Sequence, residues 1–183
     1  AADLVRRLDV TPLLRVLEIA AGTGVVTRAL AATLPETVAI VATDLNQTML
    51  DHALAVGTKR PVDWRQADAM QLPFDDESFD AVVCQFGVMF FPEKSTAFVE
   101  ARRVLRAGGV FIFTVWDQIA ENEFADTVTT ALAAVFPEDP PRFLARTPHG
   151  YYEQQIIERD LARAGFDHPT RFETVVARSS ATS

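Results

Sequence analysis

Glu18, Ala20, Gly22 and Gly24 stand close together in the run RVLEIAAGTGVVTRAL, residues 15–30. A short apolar run ends on an acid, passes through small residues, and continues with the apolar spacing of a helix. Residues without bulk let a backbone approach a ligand closely, and a helix start offers unpaired N–H groups. That combination suits a nucleotide, although a plain strand–helix turn uses the same residue types. A second acid, Asp44, closes the β-branched run TVAIVATD. A carboxylate there can accept two hydrogen bonds from a ribose diol, or it can cap the following helix. Gly22 and Gly24 upstream favour the ribose.

Two cofactors carry such a diol, NAD and S-adenosylmethionine, and Asp44 alone does not choose between them. The residues around it do. The dinucleotide fingerprint asks for G-x-G-x-x-G/A, whereas Gly22-Thr23-Gly24-Val25-Val26 leads to Thr27. Asp68 and Ala69, after a third strand, offer a carboxylate and a backbone N–H to an adenine edge. No second mononucleotide half follows the fourth strand.

Further apolar and titratable groups fall at later strand ends. Gln85 and Phe86 end the fourth strand. Phe86, Met89, Phe90, Phe91 and Trp116 can ring a crevice and receive an apolar or aromatic acceptor, or they can pack the helix that opens at Pro92. Of the three histidines, His52 sits on a helix surface and His168 in a turn. His149, in Pro148-His149-Gly150-Tyr151, lies at the mouth of a late helix. His149 and Tyr151 are the candidate catalytic or substrate contacts, with capping and packing as the alternative. No Asp, Glu and His set shows metal-ligand spacing, so no metal is expected. Cys84, the single cysteine, lies in an apolar run and reads as a small buried hydrophobe.

These residues need a scaffold that brings strand ends together. Strands are predicted over about 14–19, 37–44, 62–66, 79–85 and 110–116. Helices are predicted over about 2–9, 25–34, 46–56, 92–106, 122–136 and 151–164, with Gly108-Gly109 ending the fourth and one more strand near 171–177. Strand–helix alternation with unbroken apolar strands predicts an α/β, Rossmann-like, mainly parallel sheet with helices on both faces. In such a sheet, ligands bind outside the carboxyl ends of the strands. At 183 residues the chain reads as a single domain, 1–183. Residues 13–117 form the cofactor-binding core, and about 120–150 an insertion or lid. The net charge of −8 disfavours nucleic-acid or anionic-membrane binding. Arg102, Arg103 and Arg106 read as a solvated helix face rather than a basic patch. No membrane span or signal peptide is visible, and a cytoplasmic location follows by default. The chain opens without Met and closes on SSATS, which suggests truncated ends. Oligomeric state is not legible.

VLEIAAGTG, ATDLNQTML, ADAMQLPFDDESFDAVVCQFGVMFFPE and RVLRAGGVFIFTVW, in that order, resemble the motifs of class I S-adenosylmethionine-dependent methyltransferases. The similarity is greatest to the small-molecule group of ubiquinone/menaquinone C-methyltransferases. The resemblance implies that Glu18 orients the methionine amino end and that Ala20, Gly22 and Gly24 underlie the cofactor. It implies that Asp44 holds the ribose, with Leu45 and Met49 flanking the adenine and Asp68 and Ala69 at its edge. Gln85 and Phe86 would approach the methyl group, with Met89, Phe90 and Trp116 toward the substrate. The family usually has glycine where Ala20 stands, and an alanine there implies a negative φ. Its sheet ends in a two-stranded antiparallel hairpin, of which only one strand is predicted here. The chain is then a fragment lacking the last strand, or the cover comes from elsewhere. A nucleotide-binding oxidoreductase and a non-catalytic interaction module that keeps the fold are the alternatives.

Overall fold

The computed structural model describes residues 1–8 and 11–177. Its elements are α1 (Ala2–Arg6), β1 (Arg15–Glu18), α2 (Val25–Thr33), β2 (Ala39–Asp44), α3 (Gln47–Val56), β3 (Asp63–Gln66), β4 (Phe79–Gln85), α4 (Lys94–Val104), β5 (Leu105–Thr114), α5 (Glu123–Val135), α6 (Phe143–Arg146) and α7 (Gln154–Arg163). The five strands form one parallel sheet in the order β3-β2-β1-β4-β5.

The central strands are apolar without alternation because both faces are covered. Val16, Ala81 and Val83 point to one face and pack with Leu4, Val5, Val26 and Leu30 of α1 and α2. Leu17, Val82 and Cys84 point to the other and pack with Phe98, Ala101, Ile157 and Leu161 of α4 and α7. Burial pushes the Cys84 thiol up to about 12, which leaves it an inert apolar group.

Several predicted elements differ. Helix α4 stops at Val104 and runs directly into β5. Leu105 pairs with Phe79, and the next pair is Val110 with Ala81. Residues 106–109 therefore bulge inside the strand, with Gly108 at φ 78°. The Gly108-Gly109 pair shapes a strand rather than ending a helix. No strand forms over 171–177, although Val175 and Val176 are β-branched. Both are exposed, and among the described residues no strand pairs with the outer edge of β5. A strand without a ladder leaves its amides to water. The late helix begins at Gln154, three residues after Tyr151. The first helix ends at Arg6; Asp9, included in the predicted helix, lies outside the described residues.

The three arginines near the end of α4 divide. Arg103 donates to Glu100, Asp76, Phe74 O and Leu72 O, and Glu100 accepts the Leu72 amide. Arg106 donates to Asp80, which also accepts the Leu14 and Arg15 amides. Only Arg102 is a plain solvated side chain. The other two pin the acidic turn and the start of β1.

Candidate functional site

Strand order reverses between β1 and β4, so their carboxyl ends open a crevice. The loop after β1 forms its floor. Ala20, Gly22 and Gly24 all have positive φ, at 54°, 56° and 79°. Ala20 thus holds the left-handed geometry that its type disfavours, contrary to the negative φ expected of an alanine. The surroundings hold it there. A methyl placed on Gly87 would come within 2.5 Å of the Ala20 Cβ, so Gly87 leaves the room that Ala20 uses. A methyl on Gly22 would meet nothing within 4 Å. One on Gly24 would come within 2.8 Å of the Trp64 ring. Gly22 therefore faces open space, whereas Gly24 is closed in from behind.

The loop is tied to the end of β2. The Asp44 carboxylate accepts the Gly22 amide at 2.7 Å and the Asn46 amide at 2.8 Å, and Thr43 O accepts the Ala21 amide at 2.9 Å. Asp44 does support the next helix start, as its capping alternative held, while Asn46 caps the Thr48 and Met49 amides. Each Asp44 oxygen retains a lone pair for a hydroxyl group. Leu45 and Met49 are exposed beside it.

Glu18 ends β1 with 1% of its surface exposed. Thr27 Oγ1 donates to its Oε2 at 2.6 Å, and Thr43 Oγ1 donates to its backbone carbonyl at 3.0 Å. Burial outweighs the Thr27 bond and pushes the Glu18 carboxyl up to about 8. Thr27, read from sequence only as a missing glycine, is therefore a buried partner of the loop acid. The nine-residue interval between Glu18 and Thr27 was the available clue, since it places a hydroxyl on the first turn of α2 behind the strand end. Trp64, the wall behind Gly24, carried no local clue, because its position depends on β2–β3 pairing.

Asp68 accepts the Met70 amide at 2.8 Å and bridges to Gln71, with Ala69 buried beside it. Gln85 and Phe86 lie at the end of β4. Phe86 has φ 55°, and its amide donates to the carbonyl of Thr114 on β5. Its ring stacks on Trp116 with centroids 4.1 Å apart and planes 4° apart. Trp116 is 41% exposed. Phe90 is exposed, whereas Met89 is buried in the core and packing accounts for it. Phe91 packs against the same core.

His149 and Tyr151 part company. The Tyr151 hydroxyl donates to Asp160 at 3.0 Å, and Lys94 Nζ stands 5.0 Å from the ring centre. Burial and Asp160 raise its pKa, so Tyr151 belongs to the packing of α7 against α4. His149 instead stands beside Trp116, with ring centroids 6.0 Å apart. Its Nδ1 lies 2.8 Å from Asp117 O. His52 and His168 are exposed. Among the described residues no three His, Cys, Asp or Glu side chains converge as metal ligands would.

The geometry defines a parallel α/β domain whose switch point carries the Asp44-tied loop and the stacked Phe86 and Trp116 rings. The sequence of the same region matches the family described as "Methyltransferase domain" over residues 17–113, and the chain belongs to that family. A relative from Burkholderia mallei, described as ubiquinone/menaquinone biosynthesis C-methyltransferase, is 33% identical over 178 residues, 91% of this chain and 72% of the relative. A protein with the same description from Ectopseudomonas mendocina is 32% identical over 169 residues. The chain spans 66% of the length of that relative. Among solved structures, a Bacillus halodurans protein described as a candidate methyltransferase superposes with a TM-score of 0.67 at 28% identity, covering 90% of this chain and 67% of the other.

Proposed function

We propose that this chain transfers a methyl group from S-adenosylmethionine to a small, apolar or aromatic acceptor. The observation that carries the proposal is the clasp between Asp44 and the Gly22 amide, with open space over the Gly22 Cα. It presents a carboxylate for a diol beside a backbone that a ligand can touch. The residues fit the cofactor throughout: a buried acid at the end of β1, a small-residue floor, and apolar Leu45 and Met49 next to Asp44. When bound, the cofactor supplies an electrophilic methyl on a sulfonium.

The chain's own residues bind, orient and exclude water. Glu18 meets the cationic methionine amine and loses its proton in doing so, because the cation repays the cost of burying its charge. Asp44 accepts from the ribose hydroxyls, and Asp68 with the Ala69 amide meets the adenine edge. Gln85 and Phe86 line the approach to the methyl group. Phe90 and Trp116 offer the acceptor an apolar wall, with residues 120–150 closing over it as a lid. Positioning of this kind suffices for a large share of an in-line displacement.

The relatives' description as ubiquinone/menaquinone C-methyltransferases supports an aromatic acceptor. Net charge −8 supports a small molecule over nucleic acid. No described helix is long and apolar enough to cross a membrane, and we assign the chain to the cytoplasm.

Calorimetric titration tests the proposal. S-adenosylhomocysteine, the demethylated product, binds at micromolar Kd, and Asp44→Ala weakens it at least tenfold, about 1.4 kcal/mol. Absence of binding to the intact chain, or a preference for NADH, overturns it.

A further inference from the structure

We infer that His149 is the general base of this site, held in one tautomer by the backbone of Asp117; the inference rests on the methyl-transfer proposal above. A carbonyl oxygen only accepts, so the imidazole nitrogen 2.8 Å from Asp117 O must carry the hydrogen. In the neutral ring this leaves the Nε2 lone pair as acceptor. Nε2 has no hydrogen-bond partner among the described residues. The buried, unpartnered side-chain nitrogens among those residues are both on Arg60. Nε2 is not one of them, and the histidine as a whole is 6% exposed.

The surroundings fix this arrangement from three sides. Asp117 lies just beyond the carboxyl end of β5, which stops at Thr114, so the segment leaving the sheet positions the imidazole. Trp116 stands beside the ring and is backed by Phe86. From below, the His149 amide donates to Leu144 O of α6 at 3.0 Å. Gly150 lets the chain pass so close to α6 that an added methyl would fall 2.1 Å from Arg146 O. One ring nitrogen is thus anchored on a backbone carbonyl, and the imidazole stands beside the aromatic rim.

A base is required only where the acceptor must lose a proton. The inference therefore names the acceptor class: a flat aromatic compound with an ionisable hydroxyl at, or conjugated to, the methylated atom. For a hydroxyl acceptor, the oxygen lone pair forms the new bond to the methyl carbon. The methyl–sulfur bond breaks with its electron pair going to sulfur, and the hydroxyl proton passes to Nε2. The resulting imidazolium returns the proton to water.

The test uses the full chain labelled with ¹⁵N-histidine. Long-range ¹H–¹⁵N spectra, assigned with His149→Gln, show His149 with Nδ1 protonated and Nε2 bare. An Nε2–H tautomer overturns the inference without recourse to any variant. The probe is then 2-naphthol, whose emission reports transfer of its hydroxyl proton to a base, added to protein saturated with S-adenosylhomocysteine. Bound naphthol emits as naphtholate in the wild type and as neutral naphthol in His149→Gln, while product-cofactor affinity changes less than twofold. Cofactor binding without naphthol binding, or identical emission from both proteins, overturns the role of His149 and leaves the cofactor site standing. If the cofactor also fails to bind, the proposal beneath it falls as well.

Discussion

At the residue scale, the loop after β1 shows one side chain where its type is not at ease. Ala20 sits at φ 54°, a conformation that costs an L-residue roughly 1–2 kcal/mol. Ala20→Gly relieves that cost but gives up the methyl contact near Gly87. We expect a net gain of about 0.5–1 kcal/mol, read as a raised urea midpoint at unchanged m-value. A loss of stability would show that the methyl contact outweighs the backbone. Gly24→Ala has no such outlet, because φ 79° and the Trp64 ring both oppose it. It should weaken cofactor binding at least tenfold in the titration used for Asp44, and wild-type affinity in a folded variant would refute that. Residue type and spacing made Gly22, Gly24 and Asp44 legible. The sign of φ at Ala20 was not legible, because Gly87, sixty-odd residues later in the chain, sets the space around it.

At the element scale, the sequence pattern located β1 to β4 closely, since unbroken apolar runs between turns mark strands covered on both faces, but it placed the start of β5 at Val110 instead of Leu105. It failed at two junctions. The passage from α4 to β5 has no loop, and glycines that ordinarily end helices were absorbed into a bulge. The segment 171–177 has a strand's composition but no neighbour to pair with, a property no local pattern records. Arg103 shows the same limit, because three arginines predicted to share one helix face have different fates according to what lies opposite, and Arg106 lies in β5. Its side chain is under one-third exposed, and its guanidinium serves two carbonyls and two carboxylates. Arg103→Ala should cost about 2 kcal/mol by leaving those acceptors unpaired, whereas the exposed Arg102→Ala should stay within about 0.5 kcal/mol. Equal shifts in the two urea midpoints would contradict this assignment.

At the scale of the whole molecule, one buried acid couples the site to global stability. The Glu18 carboxyl is pushed from 4.5 to about 8 by burial. Between those values the unfolded chain releases this proton and the native protein keeps it. The unfolded state binds fewer protons, so this group lowers stability as pH rises, by up to about 1.4 kcal/mol per unit. Below 4.5 the carboxyl is neutral in both states and contributes no slope. Denaturant titrations at a series of pH values should show a decline between about pH 5 and pH 8 that is absent in Glu18→Gln. Parallel curves would mean that Glu18 is ionised in the native protein.

The bond from the Gly22 amide to Asp44 reaches beyond the site's shape. The loop is already latched to β2 before any ligand arrives, so a ligand finds it built. Association should then carry little ordering penalty, and its heat-capacity change should match the apolar surface covered, without the excess that accompanies coupled folding. The on-rate should be set by diffusion into an open crevice rather than by a prior rearrangement. A nucleoside would be captured by a rigid socket, and the slow motions of a catalytic cycle would fall to whatever covers the acceptor.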